Sequence, residues 1–311
     1  MTRPVAVVGT GTIGASWAAL FLARGHDVRA HDPAPGAEAR LRDAVAATWP
    51  ALTRLGLAPG AGRSRLSFHD DLADAVRDVV LVQESGPEDA DLKAALLRAI
   101  DAHAPADAVI ASSSSGLLPS TLQAMCEHHP ERVLVGHPFH PAALVPLVEV
   151  VPGAASPDHA VTAAVAFYVD LGKRPIVVRR EVPGHVANRL QAALWREAYS
   201  LVERGVATVA DIDTAISNGP GLRWALLGPL VGQHLSGGPG GMAHTLRHLG
   251  PPAQAWMDDL GAPRLTDELA DLLVSGVDDE LAGIDQQAMA AARDELLVDL
   301  LTRKRATPAL P

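Results

Sequence analysis

The pairing in this chain best suited to moving a proton is a histidine with a glutamate twelve residues further on, His137 and Glu149. His137 lies in Gly136-His137-Pro138-Phe139-His140-Pro141, where two prolines stiffen the loop and so fix the imidazoles. Glu149 interrupts residues 145–151, which are otherwise apolar except for Pro146. An acid inside such a strand is costly to bury unless it is paired. A histidine is the natural partner, because a carboxylate orients an imidazole and stabilises its protonated form. Such a pair suits a general base that removes a proton from an alcohol. The alternative is a glutamate facing solvent on an edge strand. His140 has three open roles: second catalytic group, substrate contact or loop hydrogen bond.

Three glycines offer a second chemistry. Gly9, Gly11 and Gly14 follow the β-branched run Val5–Val8 and open a helical pattern that begins with Thr12 and Ile13. Gly9 permits a tight turn, Gly11 lets the backbone approach a pyrophosphate, and Gly14 allows close helix–strand packing. Asp32 ends the next strand, where an acid accepts from adenosine ribose hydroxyls and repels a 2′-phosphate. NAD is therefore expected over NADP. Ser112-Ser113-Ser114-Ser115 follow another strand, where hydroxyls face a ligand crevice or form a polar turn into the next helix. Asn188 follows Val182-Pro183-Gly184 by about one helical turn, so its amide is either a crevice group or a helix-surface group.

These residues need a frame. Short apolar runs at 5–8, 28–30, 79–83, 108–112, 132–135, 145–151 and 175–178 alternate with helical patterns. That alternation predicts an α/β fold with a mostly parallel sheet covered on both faces. After His185 no strand pattern is convincing. Helical patterns cover 186–203, 209–217, 223–234, 268–276 and 286–301, separated by Pro/Gly clusters at 219–221, 237–241 and 250–252. The expected organisation is a Rossmann-type doubly wound sheet over residues 1–181, then an all-helical domain over 182–311.

Composition narrows the function classes. The 311 residues carry 26 basic and 36 acidic side chains, a net charge of −10, which argues against a nucleic-acid-binding body. A single cysteine, Cys126, allows no disulfide within the chain, and no Cys/His spacing suits a metal. Residues 13–22 are apolar but too few to span a bilayer, and the first residues lack a secretory-signal pattern. A cytoplasmic protein with no membrane partner is expected. Aromatic residues make up only 4%, so any aromatic cage draws on few side chains.

Taken in order, the glycine turn, the serine-rich strand end, the HPxxP-type loop with its later Glu, and the G-x-x-x-N-R-L helix resemble the 3-hydroxyacyl-CoA dehydrogenase superfamily over nearly the whole chain. Longer stretches, among them VGHPF, PLVEVV and GPGLRWALLGP, are similar to its branch acting on small free hydroxy acids, the carnitine and gulonate 3-dehydrogenases. The resemblance implies catalytic roles for Ser115, His137, Glu149 and Asn188, and places Glu88 and Lys93 near the nicotinamide half of NAD. It also implies substrate contacts at Phe139, His140, His185, Arg223 and Trp224, and a homodimer formed through the helical domain. The implied reaction is oxidation of the 3-hydroxyl of L-carnitine or a close analogue. L-gulonate or another polar 3-hydroxy acid, a 3-hydroxyacyl-CoA, and a non-catalytic crystallin-like role are the alternatives. Departures from the family pattern are His140 where Asn is usual, His185 where Phe is usual, and Ala225 where carnitine enzymes carry an aromatic. Each makes the pocket more polar or less aromatic.

Overall fold

The computed structural model describes residues 3–310. The chain divides into two compact units, Met1–Arg189 and Leu190–Pro311.

In the first unit the elements run β1 (Val5–Val8), α1 (Thr12–Ala23), β2 (Val28–His31), α2 (Ala37–Leu55), β3 (Leu66–Phe68), α3 (Leu72–Val76), β4 (Leu81–Glu84), α4 (Ala90–His103), β5 (Val109–Ser112), α5 (Pro119–Gln123), β6 (Val133–Pro138), β7 (Leu147–Pro152), α6 (Asp158–Asp170) and β8 (Arg174–Val177). The eight strands lie in the order β3-β2-β1-β4-β5-β6-β7-β8. Every neighbouring pair is parallel except β6 with β7. Side chains alternate between the two faces, so the central strands feed two cores. Val5 and Val7 join Trp17, Phe21, Leu41 and Tyr168 on one face. Ala6 and Val8 join Val82, Leu97, Ile100 and Leu122 on the other. This two-sided burial is why the strands read as unbroken apolar runs. Strand β3 and helices α3 and α5, which span three to five residues, carry no such run, and the sequence pattern passes over them.

The antiparallel β6–β7 pair decides the site. Its register sets His137 directly opposite Glu149. The connection after β6 is tied down twice. Ala143 N–H donates to Ser16 Oγ on α1 at 2.7 Å. The Lys173 ammonium, buried 5.0 Å from the Trp17 ring centroid, donates to the Ala142 and Val145 carbonyls. Burial, with a smaller contribution from the Arg24 guanidinium, pushes Lys173 down from 10.5 to about 7. Between those values the unfolded chain binds more protons than the folded one, so stability rises with pH across that window and stops rising above it. Lys173→Met should flatten that rise, whose slope from one group is at most about 1.4 kcal/mol per pH unit. Denaturant melts at pH 7 and pH 9 check this; an unchanged difference in the variant contradicts it.

Helix α7 (Ala187–Glu203) starts in the first unit and continues into the second, followed by α8 (Val209–Ser217), α9 (Pro220–Leu227), α10 (Pro229–Ser236), α11 (Gly241–Asp259), α12 (Asp267–Glu280) and α13 (Gln286–Arg305). Among the described residues the second unit has no strand, as expected. Two expectations need correction. The single helix over 223–234 is two helices, because Gly228 at φ 74° breaks the run and Pro229 starts the next. The cluster at 250–252 does not separate helices, since Pro251 and Pro252 lie inside α11. Proline's fixed φ is itself helical, so the helix continues at the loss of two N–H donors.

Candidate active site

His137 and Glu149 meet across the β6–β7 pair, with His137 Nδ1 2.8 Å from Glu149 Oε2. An ionised carboxylate only accepts, so the imidazole places its proton on Nδ1 and keeps a lone pair at Nε2. Glu149 is fully buried. Its other oxygen accepts from Val186 N–H at 2.8 Å and Ala187 N–H at 2.9 Å, at the start of α7. Burial alone would raise this carboxyl, but the His137 bond and the two backbone donors outweigh it and hold Glu149 below the usual carboxylate range. One carboxylate thus orients the imidazole and satisfies two N–H groups that a helix start leaves without partners. The same contact fixes the start of α7, on which Asn188 is the second residue. Phe139 packs edge-on against His137, with centroids 4.9 Å apart.

The serine turn is held by a closed polar ring. Lys93, buried, donates to both oxygens of buried Glu84 at 3.0 and 3.1 Å and lies 3.6 Å from Glu88. Ser112 Oγ donates to Glu84 at 2.5 Å and accepts from Ser114 N–H. Ser114 Oγ donates to Glu88, which also takes the N–H groups of Gly116 and Leu117. Burial works against Glu88's charge, yet Ser114, Gly116 and the Lys93 ammonium together hold its carboxyl low. Ser115 stands on this braced turn, partly exposed. Lys93 therefore spends its charge on Glu84 and Glu88, within the walls of the site. His185, at φ 50° and buried, has Nε2 3.3 Å from the Ser114 carbonyl. A carbonyl needs a donor, so His185 is protonated at Nε2, and its buried Nδ1 has no partner among the described residues. Burial lowers its pKa. His140 is exposed.

A cavity of about 740 Å³ lies over the start of α1, lined by Gly9, Gly11, Asp32, Ser85, Gly86 and Leu96 among others, a size that suits a small ligand. No side chain caps α1. A Cβ at Gly14 would strike the Gly9 carbonyl at 1.8 Å, whereas one at Gly11 would meet nothing within 4 Å. Free helix N–H groups facing open space beside a glycine suit a pyrophosphate. Asp32 accepts from Thr10 N–H at 2.7 Å, Thr10 Oγ1 at 3.1 Å and Ala34 N–H at 2.9 Å. Burial pushes this carboxyl up, but these three donors outweigh it, and Asp32 stays charged well below neutrality. These residues fit a dinucleotide. Arg223 and Trp224 lie exposed on α9 of the second unit.

Residues 4–182 match the model of the 3-hydroxyacyl-CoA dehydrogenase NAD-binding domain, and residues 184–278 match the C-terminal domain of the same family. The chain belongs to the 3-hydroxyacyl-CoA dehydrogenase family. Like other members it is an NAD-dependent oxidoreductase. Among its relatives in this family, the L-carnitine dehydrogenase of Streptomyces griseus is 51% identical over 99% of this chain and 91% of its own length. The L-carnitine dehydrogenase of Pseudomonas putida is 47% identical over 99% and 95%. Among solved structures, an NAD+-dependent 5-formyl-3-hydroxy-2-methylpyridine 4-carboxylic acid 5-dehydrogenase superposes with a TM-score of 0.85 at 31% identity, covering 98% of this chain and 99% of that one.

Two braces escaped the sequence: Glu84, which sits one residue past the apolar run read as ending at Gln83, and Lys173, which no motif marks. Asp32→Ala should weaken NAD binding by about tenfold or more, since a charged acceptor is lost, and should narrow the preference for NAD over NADP. Cofactor titrations check it; an unchanged NAD affinity contradicts it.

Proposed function

We propose that this chain oxidises the 3-hydroxyl of L-carnitine to the 3-oxo acid. The support is the run of L-carnitine dehydrogenases at 46–52% identity over nearly the full chain, together with the His137–Glu149 pair. NAD+, when bound, supplies the hydride acceptor. His137 Nε2 takes the hydroxyl proton as the C3 hydrogen leaves as hydride. The Glu149 carboxylate stabilises the imidazolium that results. Ser115 and Asn188 hold the substrate oxygen as it becomes a carbonyl. Phe139 offers a face to the trimethylammonium group, a contact worth about 0.5–2 kcal/mol. Exposed His140 and buried His185 complete the substrate shell, with Glu88 and Lys93 framing the nicotinamide end.

Initial rates of NADH formation at 340 nm, across L-carnitine, L-gulonate, 3-hydroxybutyrate and 3-hydroxybutyryl-CoA, test the substrate. A kcat/KM highest for L-carnitine is expected; a higher value for any of the others overturns the assignment.

The helical unit is proposed to pair with a second copy. Val202, Leu269 and Val298 are buried there, but Leu222, Leu230, Trp256, Leu265 and Leu296 are each at least 60% exposed. Apolar surface on that scale marks an interface. Light scattering at micromolar concentration should give twice the chain mass; a single-chain mass contradicts the pairing.

A further inference from the structure

Two serine hydroxyls, Ser85 Oγ and Ser113 Oγ, lie 2.9 Å apart, each one residue past the end of its strand, β4 and β5. They terminate a polar chain that starts in the core. Tyr168 O–H donates to Gln83 Oε1 at 2.7 Å, and both side chains are fully buried. Burial pushes the Tyr168 hydroxyl far up, so it keeps its proton and donates. That bond sets the orientation of the Gln83 amide. Its Nε2 then donates to Ser113 Oγ at 2.9 Å and, more weakly, to the Ala111 and Gly136 carbonyls at 3.3 Å each. The chain therefore runs outward from Tyr168 as far as Ser113, and between the two serines either hydroxyl can donate.

At its end the count does not close. Two hydroxyls carry two hydrogens. One is used between the serines, and among the described residues nothing accepts the other. Both serines are partly exposed. Ser85 lines the cavity that also holds Gly9, Gly11 and Asp32.

Topology says which part of a dinucleotide this hydrogen meets. Asp32, the ribose acceptor of the adenosine end, follows β2 on one side of β1; β4 and β5 lie on the other side, toward His137 on β6. The nicotinamide half, which must reach the proton acceptor, therefore extends over Ser85 and Ser113. We propose that the spare serine hydrogen is a fixed donor to an acceptor oxygen on the nicotinamide half of NAD, with Gln83 and Tyr168 as the positioning residues that point it outward. The proposal rests on the NAD site described above.

Ser85→Ala and Ser113→Ala test it by fluorescence titration with NADH and calorimetric titration with ADP, which lacks the nicotinamide half. Each variant should bind NADH about 3–10-fold more weakly, the effect of one lost neutral hydrogen bond. ADP affinity should stay within about twofold. The double variant should be no weaker than the worse single one, because the pair offers one donor. Unchanged NADH affinity in both single variants overturns the proposal, as does an equal loss for NADH and ADP. Melting curves confirm that the variants are folded. A wild-type protein that fails to bind NADH would overturn the cofactor site itself, a result distinct from a wild type that binds and variants that bind equally well.

Discussion

His137→Gln should lower kcat by about 10²–10⁴-fold, the range that a positioned general base contributes. NADH affinity should be largely unchanged, because the proton that His137 takes comes from the substrate hydroxyl and not from the cofactor. The expectation follows from the tautomer. With Nδ1–H committed to Glu149, Nε2 is the one ring atom left to accept a proton. Removing the imidazole leaves the substrate hydroxyl to water. Steady-state kinetics beside NADH titration separate the two effects. Near-full turnover with intact cofactor binding would mean that another group is the base.

Glu149→Gln should be nearly as damaging, at about 10²-fold or more in kcat, and the reason is a count of acceptors. Three donors converge on this carboxylate: His137 Nδ1–H and the Val186 and Ala187 N–H groups. A carboxamide has one oxygen and one NH2. If its oxygen keeps the start of α7, its NH2 faces His137 and donates to Nδ1. The imidazole proton then moves to Nε2, and the base becomes a donor. If its oxygen keeps His137, an NH2 group faces two backbone donors and the helix start loses its partner. Either arrangement fails, even though the shapes of the two side chains are nearly the same. Acid stability should change too. Glu149 is held below its ordinary 4.5 in the folded chain. Its contribution to stability is therefore present above that value and lost as pH falls through the folded value. The variant should be less stable at neutral pH and should lose less stability between about pH 5 and pH 3. Urea melts at both ends of that range check the second effect. Unaltered turnover in Glu149→Gln would remove Glu149 from the mechanism.

The His137–Glu149 pair was legible in the sequence because two local signals agreed. A proline-flanked histidine ends one apolar run, a lone acid interrupts the next, and burial of that acid demands a partner. The glycine turn and Asp32 were legible for a similar reason, since their spacing is set by one strand–helix–strand unit. Glu84 and Lys93 were not, because a buried ion pair nine residues apart looks like two surface charges until α4 folds back over β4. The link from Glu149 to α7 joins residues 37 and 38 positions apart, and no local pattern records it. Lys173 shows the same limit: its partners lie in a loop 28 and 31 residues earlier. In the helical half, Pro251 and Pro252 carried a strong breaker signal that the surrounding helix overrides. Local chemistry was readable where a sequence pattern marks both partners, and unreadable where the fold alone brings them together.

In the proposed reaction the hydrogen on C3 of L-carnitine leaves as hydride to NAD+ while His137 takes the hydroxyl proton. L-Carnitine deuterated at C3, incubated with the protein and NAD+, tests it most directly through mass spectrometry of the reduced cofactor. Reduced nicotinamide carrying one deuterium, formed in equal amount to the 3-oxo acid and about 10²–10⁴-fold more slowly in His137→Gln, is the predicted result. Reduced cofactor without deuterium, or no reduced cofactor at all from the wild-type protein, would contradict the account.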